Sequence, residues 1–537
     1  MKRLKIHKLV IWSVISIVTY SACTKDVGSS SGEDPYKEVI LPDISFVEDG
    51  VSPAQGNIGD TIRLAGAGFL EHQKDLTILF NGEPGIISSA TDSTVDVIIP
   101  EMAATGAITA KVKQQYFFGP FFRVNGALQM DTIFPGFRGG KGVIRTIIPV
   151  DDDKFLIAGR FTDYDNSNIA GGVNRVALIN RDGTLNKNFK YGYATGASSA
   201  VYTAVRIEED AKYLVAGGFS KYGDITNMNS IARLNFDGSV DSLPRPVPSG
   251  DIVWASALRG GVDKSITQLH LLPDKKFIAL GNFRYYVEMN YNLTSTDGFD
   301  STHLDSTLVN YIARFNEDGS LDTTYHFNQE KHYGMETVNG TISGSILLPD
   351  QKLLIVGNFT KYDGKTVNRV ARLNPDGSLD ETFHYGSGAD RSVTAITALK
   401  DGGYLLLGTF NNYDGHQVAH AVKINDQGKY DPSFDIGKGA DGFIYRAFEL
   451  SNNAILISGT FRLFDDRICN NFVVLNADGS FHKSLNSTGG FNIGMDAVSG
   501  AISDVVELKD EKSIIIVGNF GEFDYRATNN IVKLNYE

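Results

Sequence analysis

Short apolar runs separated by polar turns recur along most of the chain. In one copy of the pattern, residues 353–356 (LLIV) are apolar at every position, which is typical of a β-strand covered on both faces. Three further short runs, 345–348, 370–373 and 379–383, flank it and are separated from one another by turn residues such as Asp376-Gly377. The pattern therefore predicts four short antiparallel strands in each repeat.

A Gly-x-Phe motif ends the second strand of each copy. The glycine is expected to allow a close backbone approach, and the phenylalanine is expected to pack between neighbouring repeats. Seven copies of four strands predict a seven-bladed β-propeller over residues 126–537. The copies are Gly159-Arg160-Phe161, Gly217-Gly218-Phe219, Gly281-Asn282-Phe283, Gly357-Asn358-Phe359, Gly408-Thr409-Phe410, Gly459-Thr460-Phe461 and Gly518-Asn519-Phe520.

The two ends of the repeat region complement each other. The last copy stops after its third strand, at 531–537, whereas the other copies continue into a fourth strand of the form Leu-Asp-x-x-Phe. A segment of that form, 130–134 (MDTIF), stands alone before the first copy. We therefore expect this N-terminal strand to complete the last blade and close the ring, which leaves no open sheet edge.

An asparagine recurs in all seven copies and is followed closely by Asp-Gly in five of them. A calcium loop is one interpretation, but the spacing is not that of an EF-hand. The favoured interpretation is a hairpin turn, in which Asn and Asp bond to the local backbone and Gly takes a positive φ. We predict no metal site and no cofactor.

Residues 39–125 have a different rhythm, in which short alternating runs such as 61–64 and 94–98 are bounded by Pro, Gly and Asn-Gly turns. About seven strands of this kind predict an immunoglobulin-like sandwich. The segment resembles the IPT/TIG family in Ser52-Pro53, Gly66-Ala67-Gly68-Phe69, Phe80-Asn81-Gly82 and Pro100. The resemblance implies a spacer or interaction module. The predicted fold class is thus all-β, with this sandwich followed by the propeller.

The first 22 residues have the form of a signal peptide, with basic residues before a short apolar run at 9–18. The following Tyr20-Ser21-Ala22-Cys23 resembles a bacterial lipobox, which implies that Cys23 is lipidated; ordinary cleavage beside an incidental cysteine is the alternative. Residues 23–38 are polar and suit a flexible tether. We expect an outer-membrane lipoprotein that faces the cell exterior.

The net charge of −13 argues against nucleic-acid binding, which requires a basic surface. It also argues against electrostatic membrane binding, so the expected membrane contact is through the lipid alone. If Cys23 carries lipid, Cys469 has no disulfide partner and is expected to be a buried, inert thiol.

The repeat phrases LLIVGNFTKYDG (353–364) and ARLNPDGSLDETF (371–383) resemble the delta-60 repeats of bacterial surface propellers. Together with the lipobox and the IPT/TIG-like segment, the chain resembles a Bacteroides-type surface lipoprotein of unknown function. The resemblance implies architecture and location and supplies no catalytic residues.

Differences between the copies point to the third repeat. From the motif glycine to the repeated asparagine there are 35 positions in the third copy and 17 in each of the last four. The connection before the third copy is also long, and insertions that cluster in a repeat array often mark a binding face. The candidate ligand-binding residues in these connections are Trp254, Arg259, Tyr285, Tyr286, Tyr291, Phe299, His303, His332 and Tyr333.

Exposed aromatic rings among polar side chains suit carbohydrate, because a sugar's apolar face stacks on a ring while its hydroxyls bond to polar neighbours. The favoured function is a non-enzymatic surface protein that binds a polysaccharide or a glycoprotein glycan. One alternative is a structural partner of an outer-membrane transporter complex. Another is a polysaccharide-degrading enzyme, whose acid and base would come from carboxylates such as Asp263 and Glu288 and from His303 or His332.

Overall fold

The computed structural model describes residues 43–134, 139–167, 172–190, 196–247, 249–291, 304–384, 386–493 and 502–536. The signal peptide, Cys23 and the tether lie outside these residues. Every regular element of the described part is a β-strand. Accordingly, none of these residues belongs to a helix long and apolar enough to cross a membrane.

Two sheets pack against each other in residues 44–125. One has the order β1-β3-β7-β6 and the other β2-β9-β8-β4-β5. Alternate residues of each sheet point into a shared core, which includes Ile62, Val97, Ile78 and Ile108. The nine strands are β1 (Ser45–Ser52), β2 (Gln55–Asn57), β3 (Thr61–Ala67), β4 (Leu76–Phe80), β5 (Glu83–Pro84), β6 (Ile86–Ala90), β7 (Thr94–Ile98), β8 (Gly106–Val112) and β9 (Gln115–Asn125).

The rest of the described chain is built from short strands in small antiparallel sheets. These strands are β10 (Leu128–Met130), β11 (Ile144–Asp151), β12 (Lys154–Gly159), β13 (Val176–Asn180), β14 (Val201–Ile207), β15 (Lys212–Gly217), β16 (Lys221–Tyr222), β17 (Ile225–Thr226), β18 (Ile231–Leu234), β19 (Ser242–Pro246), β20 (Ile252–Ser256), β21 (Gly260–Val262), β22 (Ile266–Leu271), β23 (Phe277–Gly281), β24 (Tyr285–Met289), β25 (Leu304–Leu308), β26 (Ile312–Phe315), β27 (Phe327–Asn328), β28 (Tyr333–Gly334), β29 (Thr341–Leu347), β30 (Leu353–Asn358), β31 (Lys361–Tyr362), β32 (Lys365–Thr366), β33 (Val370–Leu373), β34 (Val393–Ala398), β35 (Tyr404–Gly408), β36 (Asn412–Tyr413), β37 (His416–Gln417), β38 (Ala421–Ile424), β39 (Phe443–Glu449), β40 (Ile455–Thr460), β41 (Leu463–Phe464), β42 (Arg467–Ile468), β43 (Phe472–Leu475), β44 (Phe491–Ile493), β45 (Ile502–Leu508), β46 (Ser513–Gly518), β47 (Phe520–Phe523), β48 (Arg526–Ala527) and β49 (Ile531–Tyr536).

Seven sheets in the described part of the chain share one plan, in which the second strand of a repeat lies between the first and the third. The sheets are β11-β12-β13, β14-β15-β18, β22-β23-β26, β29-β30-β33, β34-β35-β38, β39-β40-β43 and β45-β46-β49. The first strand of each sheet contacts the first strand of the next, and β45 contacts β11, so the sheets follow one another around a ring.

The motif residues build these sheets. At Gly357, an added Cβ would lie 2.0 Å from the carbonyl oxygen of Thr341 on the first strand, and corresponding glycines have the same close neighbour. The phenylalanine two positions later, Phe359, is buried among apolar side chains of its own and the preceding sheet. Both residues therefore have the structural roles that the sequence predicts.

The N-terminal strand β10 completes the last sheet, but it shares only Met130 with the predicted segment 130–134, whose remaining residues form a turn around the Asp131 carboxylate. It pairs antiparallel with β49, through Leu128↔Tyr536 and Met130↔Leu534. The expected fourth strand is otherwise much shorter than predicted. In six of the sheets it is reduced to a single bridge, such as Leu373↔Leu379, after which the chain turns away. The Leu-Asp-x-x-Phe pattern forms a turn here because the Asp380 carboxylate accepts hydrogen bonds from the backbone and the side chain of Thr382.

The repeated Asn and Asp-Gly residues form the turns that the sequence favours. In one copy the backbone nitrogen of Asn374 donates to the carbonyl oxygen of Ser378 at 2.8 Å. The Asp376 carboxylate accepts from the Ser378 nitrogen at 2.9 Å, and Gly377 has a φ of +85°. These local bonds hold the hairpin turn. Among the residues that the structure describes, no group of three or more His, Cys, Asp and Glu side chains is arranged to hold a metal.

The two-sheet sandwich packs directly on the ring. The Thr105 nitrogen donates to the carbonyl oxygen of Ser487 at 2.8 Å. Arg123 forms an ion pair with Asp524, and the ring of Phe121 lies 5.1 Å from that of Tyr525. Ser487, Asp524 and Tyr525 belong to connections of the sixth and seventh sheets. Residues 44–537 accordingly form one compact unit.

Candidate functional site

The connections that carry insertions lie side by side. In five sheets, the segment that enters the first strand forms a bridge with the connection between the second and third strands of the same sheet. The bridges are Gly140↔Tyr164, Ala197↔Tyr222, Val338↔Tyr362, Ala389↔Tyr413 and Ala440↔Phe464. Long connections of both kinds around the third sheet are therefore brought together by the fold.

In the third sheet these connections form an additional sheet of the order β21-β24-β25. Tyr285 and Tyr286 are neighbours on β24 and point to opposite faces. Tyr285 is 43 % exposed, whereas Tyr286 is only 5 % exposed. The Tyr286 hydroxyl donates to Glu288 at 2.8 Å and to the carbonyl oxygen of Gly319 at 3.3 Å.

Tyr286 therefore does not have the exposure expected of a ligand-stacking ring. It has the role of the repeated tyrosines Tyr164, Tyr362 and Tyr413, whose hydroxyls donate to the carbonyl oxygen of the corresponding turn glycine. Burial, followed by the hydrogen bond to Glu288, raises the pKa of Tyr286, so the hydroxyl stays protonated.

Arg259 and Glu288 form a partly exposed ion pair. The Arg259 Nη2 lies 2.8 Å from Glu288 Oε1, and the side chains are 51 % and 25 % exposed. Because Glu288 is held by both Arg259 and Tyr286, it has a structural role. Asp263 is similarly engaged, since its Oδ1 accepts from the backbone nitrogens of Arg284 and Tyr285. Both oxygens of Glu288 and one oxygen of Asp263 are thus engaged within the fold.

Trp254 lies on a hairpin of β19 and β20. Its cross-strand partner is Pro244, and Ile252 is paired with Pro246. Cross-strand partners share a face, so these four residues form one apolar surface, which we call the hairpin platform. All four are exposed, with Ile252 at 67 % and Trp254 at 63 %.

The opposite face of the hairpin is fastened to the third sheet's connections. Arg245 lies on that face, and its guanidinium carbon is 5.2 Å from the ring centre of Tyr291. Tyr291 is partly buried and therefore holds the hairpin in place. Among these predicted rings, Trp254 and Tyr285 are exposed, whereas Tyr286 is buried and Tyr291 supports the hairpin.

A groove of about 490 Å³ lies between connections of the second and third sheets. We call it the polar groove, after the hydroxyl, amide and charged side chains that contribute to its wall. Val287 and Leu304 add apolar surface, and Leu304 is 50 % exposed. The polar side chains are those of Ser220, Asn229, Ser230, Asp263, Lys264, Ser265 and Asn282.

Loop length could not have identified this groove, because several of its residues occupy regular positions of the repeat. Asn282, for example, is the variable residue of a Gly-x-Phe motif. The groove and the hairpin are both built against the second sheet's connection, where β20 contacts β17.

Four further predicted residues remain. Phe299 and His303 lie outside the described residues. His332 is exposed, and Tyr333 is partly buried on β28, which pairs with β27 before the fourth sheet. β28 also contacts β25, so Tyr333 belongs to the same group of connections as Tyr285.

Cys469 is buried, and burial raises the pKa of its thiol to about 12.

The chain matches a family described as "Domain of unknown function (DUF5122) beta-propeller" at residues 209–243, 299–325 and 348–383. The ring is a β-propeller. No curated protein matches the chain.

Solved structures similar to the chain include the WD40 propeller domain of Doa1, at 13 % identity and a TM-score of 0.42, covering 76 % of this chain and 96 % of that one. An auxiliary nutrient binding protein from Bacteroides ovatus is similar at 10 % identity and a TM-score of 0.29, and the match covers 93 % of this chain and 99 % of the Bacteroides ovatus chain. A protein of unknown function from Bacteroides thetaiotaomicron is similar at 11 % identity and a TM-score of 0.29, and the match covers 93 % of this chain and 98 % of that protein's chain.

Proposed function

We propose that this protein is a non-enzymatic binding protein that recognises glycan through the connections of its third sheet. The observation that carries the proposal is the exposed hairpin platform around Trp254. Large exposed apolar surfaces are uncommon on a protein that has no partner. An indole with a free face offers the apolar plane on which a sugar ring stacks.

The polar groove supplies the second half of carbohydrate recognition. Its hydroxyls, amides and one carboxylate are the groups that exchange hydrogen bonds with sugar hydroxyls. Asp263 has one oxygen engaged by the backbone, and Lys264 beside it adds a donor. A glycan chain that bridges platform and groove would combine stacking with hydrogen bonds.

The proposed architecture matches this function. We propose that the seven sheets are the seven blades of one propeller, closed by β10, and that residues 39–125 are an IPT/TIG-like domain. In this proposal, lipid on Cys23 holds the protein at the outer membrane, with the propeller outside the cell. Incorporation of radiolabelled palmitate that is lost in Cys23→Ser tests the anchor; labelling of both proteins would refute it.

Affinity electrophoresis in native gels containing single polysaccharides tests glycan binding directly. Retardation by at least one polysaccharide is expected, and Trp254→Ala should reduce it. The 63 % exposed indole presents ~80 Å² on one face, taken from the ~250 Å² of a whole tryptophan. At ~25 cal/mol per Å², its loss costs about 2 kcal/mol, or roughly 30-fold in Kd.

Tyr116→Ala is a matched control, because Tyr116 is an exposed aromatic residue of the sandwich, far along the chain from the platform. It should leave the retardation unchanged. If Trp254→Ala and Tyr116→Ala bind equally well, the platform is not the glycan site.

A protein partner is the second candidate, and the same platform favours it. Two prolines and an isoleucine accompany Trp254, and such an apolar surface also suits a protein interface. Two results together would favour this candidate. An outer-membrane transporter would co-purify with the wild type and less with Ile252→Asp, and no polysaccharide would retard the protein.

A further inference from the structure

The first strands of the propeller line a central cavity. It has a volume of about 500 Å³, and each of the seven first strands contributes to its wall. Most lining residues lie in the first half of their strand, near the end where the chain enters from the preceding sheet. Representative polar residues are Arg145, Tyr202, Gln268, Ser343, Arg446 and Asp504.

Each first strand carries a β-bulge at the same place. The irregularity follows the residue paired with the motif glycine, for example between Ile144 and Thr146 and between Ile444 and Arg446. The other five first strands have the same shift. Bulges redirect side chains and are common beside functional sites. The bulge and the position after it give two residues on each of the seven strands, and twelve of these fourteen residues line the cavity.

Most of these fourteen residues, two on each first strand, are uncharged. Three are charged: Arg145, Arg446 and Asp504, which lie on the first strands β11, β39 and β45, neighbours around the ring. The cavity wall thus carries two guanidinium groups and one carboxyl group, although the chain as a whole has a net charge of −13.

The Asp504 carboxylate already accepts hydrogen bonds from the propeller's own strands. Its Oδ2 accepts from Thr146 Oγ1 at 2.9 Å and from the Ile147 nitrogen at 3.0 Å, and its Oδ1 accepts from the Val505 nitrogen at 2.9 Å. The bonds from Thr146 and Ile147 join the seventh sheet to the first. Burial raises the pKa of Asp504, which weakens it as a counter-charge.

Arg446 has no ion-pair partner within the described residues. Its guanidinium donates to the carbonyl oxygen of Tyr445 at 3.2 Å. Burial, and then repulsion from Arg145, lowers the pKa of Arg446. A guanidinium in this position costs stability unless an anion joins it.

The neighbouring Gln268 adds a donor. Its Oε1 accepts a hydrogen bond from Ser345, whose oxygen lies 2.6 Å from His270 Nε2. The side-chain nitrogen of Gln268 makes no hydrogen bond among the residues described. His270 adds no positive charge at neutral pH, because burial lowers its pKa to about 4.

We propose that the central cavity binds a small ligand bearing a carboxylate or sulfate group, with the Arg446 guanidinium as its main partner. Planar guanidinium groups bind such oxyanions through two parallel hydrogen bonds, and the surrounding hydroxyls suit a ligand with hydroxyl groups. This site is separate from the hairpin platform and does not depend on glycan binding there.

Isothermal titration calorimetry on the full-length protein tests the proposal with sodium galacturonate, sodium sulfate and galactose as probes. Galacturonate is expected to bind, and Arg446→Gln should weaken it at least tenfold. Arg446→Lys keeps the charge but loses the paired hydrogen bonds, so an intermediate loss is expected. Arg63→Gln, which removes an exposed arginine of the sandwich, is the charge-matched control and should bind as the wild type does.

Binding of sulfate as well as galacturonate would show that the oxyanion is recognised; binding of galacturonate alone would show that a carboxylate is required. Any of three results would overturn the proposal: galactose binds as tightly as galacturonate, Arg446→Gln binds galacturonate as tightly as the wild type, or the wild type binds neither anion. Folding of the variant is checked separately by its unfolding midpoint without ligand, which should equal or exceed that of the wild type because a repelled charge has been removed.

Discussion

Replacing Asp380 with asparagine should strongly destabilise the propeller. The Asp380 carboxylate lies 2.7 Å from Arg372 Nε and 2.9 Å from Lys352 Nζ, and the side chain is 4 % exposed. The asparagine side chain would keep the shape and one acceptor but leave both cations without their counter-charge. The equivalent residues Asp241 and Asp322 are held in the same way.

The size of the effect depends on whether the cations can reach water. Arg372 cannot move freely, since its side chain is 9 % exposed, donates to the Asp426 carbonyl oxygen at 2.8 Å and stacks 4.8 Å from the ring centre of Phe383. Lys352 is 26 % exposed and can turn outward. Removing one partner of a buried ion pair costs about 3–5 kcal/mol, and the freedom of Lys352 places the expected cost near ~3 kcal/mol.

Urea denaturation followed by circular dichroism measures this loss, and the adjacent Glu381 provides the control. Glu381→Gln removes the same charge one residue away, but from an exposed pair with Lys365, so the unfolding midpoint should stay close to that of the wild type. Equal destabilisation by the two substitutions would refute the argument from burial, because it would leave only net charge to explain the effect.

The effect of Asp380→Asn should also depend on pH. Burial alone would raise the pKa of Asp380, but hydrogen bonds from Thr382, Lys352 and Arg372 outweigh it and hold the pKa well below its ordinary 3.8. A lowered pKa in the folded state stabilises the protein fully well above pH 3.8, and this contribution is lost as the pH falls through the folded value. The stability gap between the wild type and Asp380→Asn should therefore narrow below pH 3.8. A gap that widens there would contradict the assignment.

Three further substitutions test the construction of the ring by urea denaturation. Gly357→Ala places a Cβ 2.0 Å from a carbonyl oxygen and should cost about 3 kcal/mol, whereas Gly521→Ala, with no atom nearby, should be tolerated; similar midpoints would show that the sheet adapts. Tyr362→Phe removes a buried hydroxyl that donates at 2.6 Å to a turn carbonyl and should cost about 1–2 kcal/mol, so an unchanged midpoint would count against this bond. Leu128→Ala should cost about 3 kcal/mol if β10 closes the ring, while the exposed Gln129→Ala should cost far less; equal effects would argue against closure by this strand.

Much of the fold follows from local sequence. Runs such as 353–356 are apolar at every position because their strands are covered on both faces, and the repeat of Gly357 and Phe359 follows from one close backbone contact and one buried ring. A strand that closes the ring could also be predicted, because the last copy lacks a fourth strand and a segment of that form stands alone before the first copy. The length of the fourth strand could not, since the Asp380 hydrogen bonds to Thr382 compete with the sheet.

The candidate site depended more on tertiary structure. Insertion length pointed to the third sheet's connections, but it could not separate the exposed Trp254 from the buried Tyr286, because strand register decides which face each ring occupies. Arg145 and Arg446 are 301 positions apart in the chain. Only closure of the ring brings their strands to one cavity, since a repeat array places equivalent positions together in space that are remote in sequence.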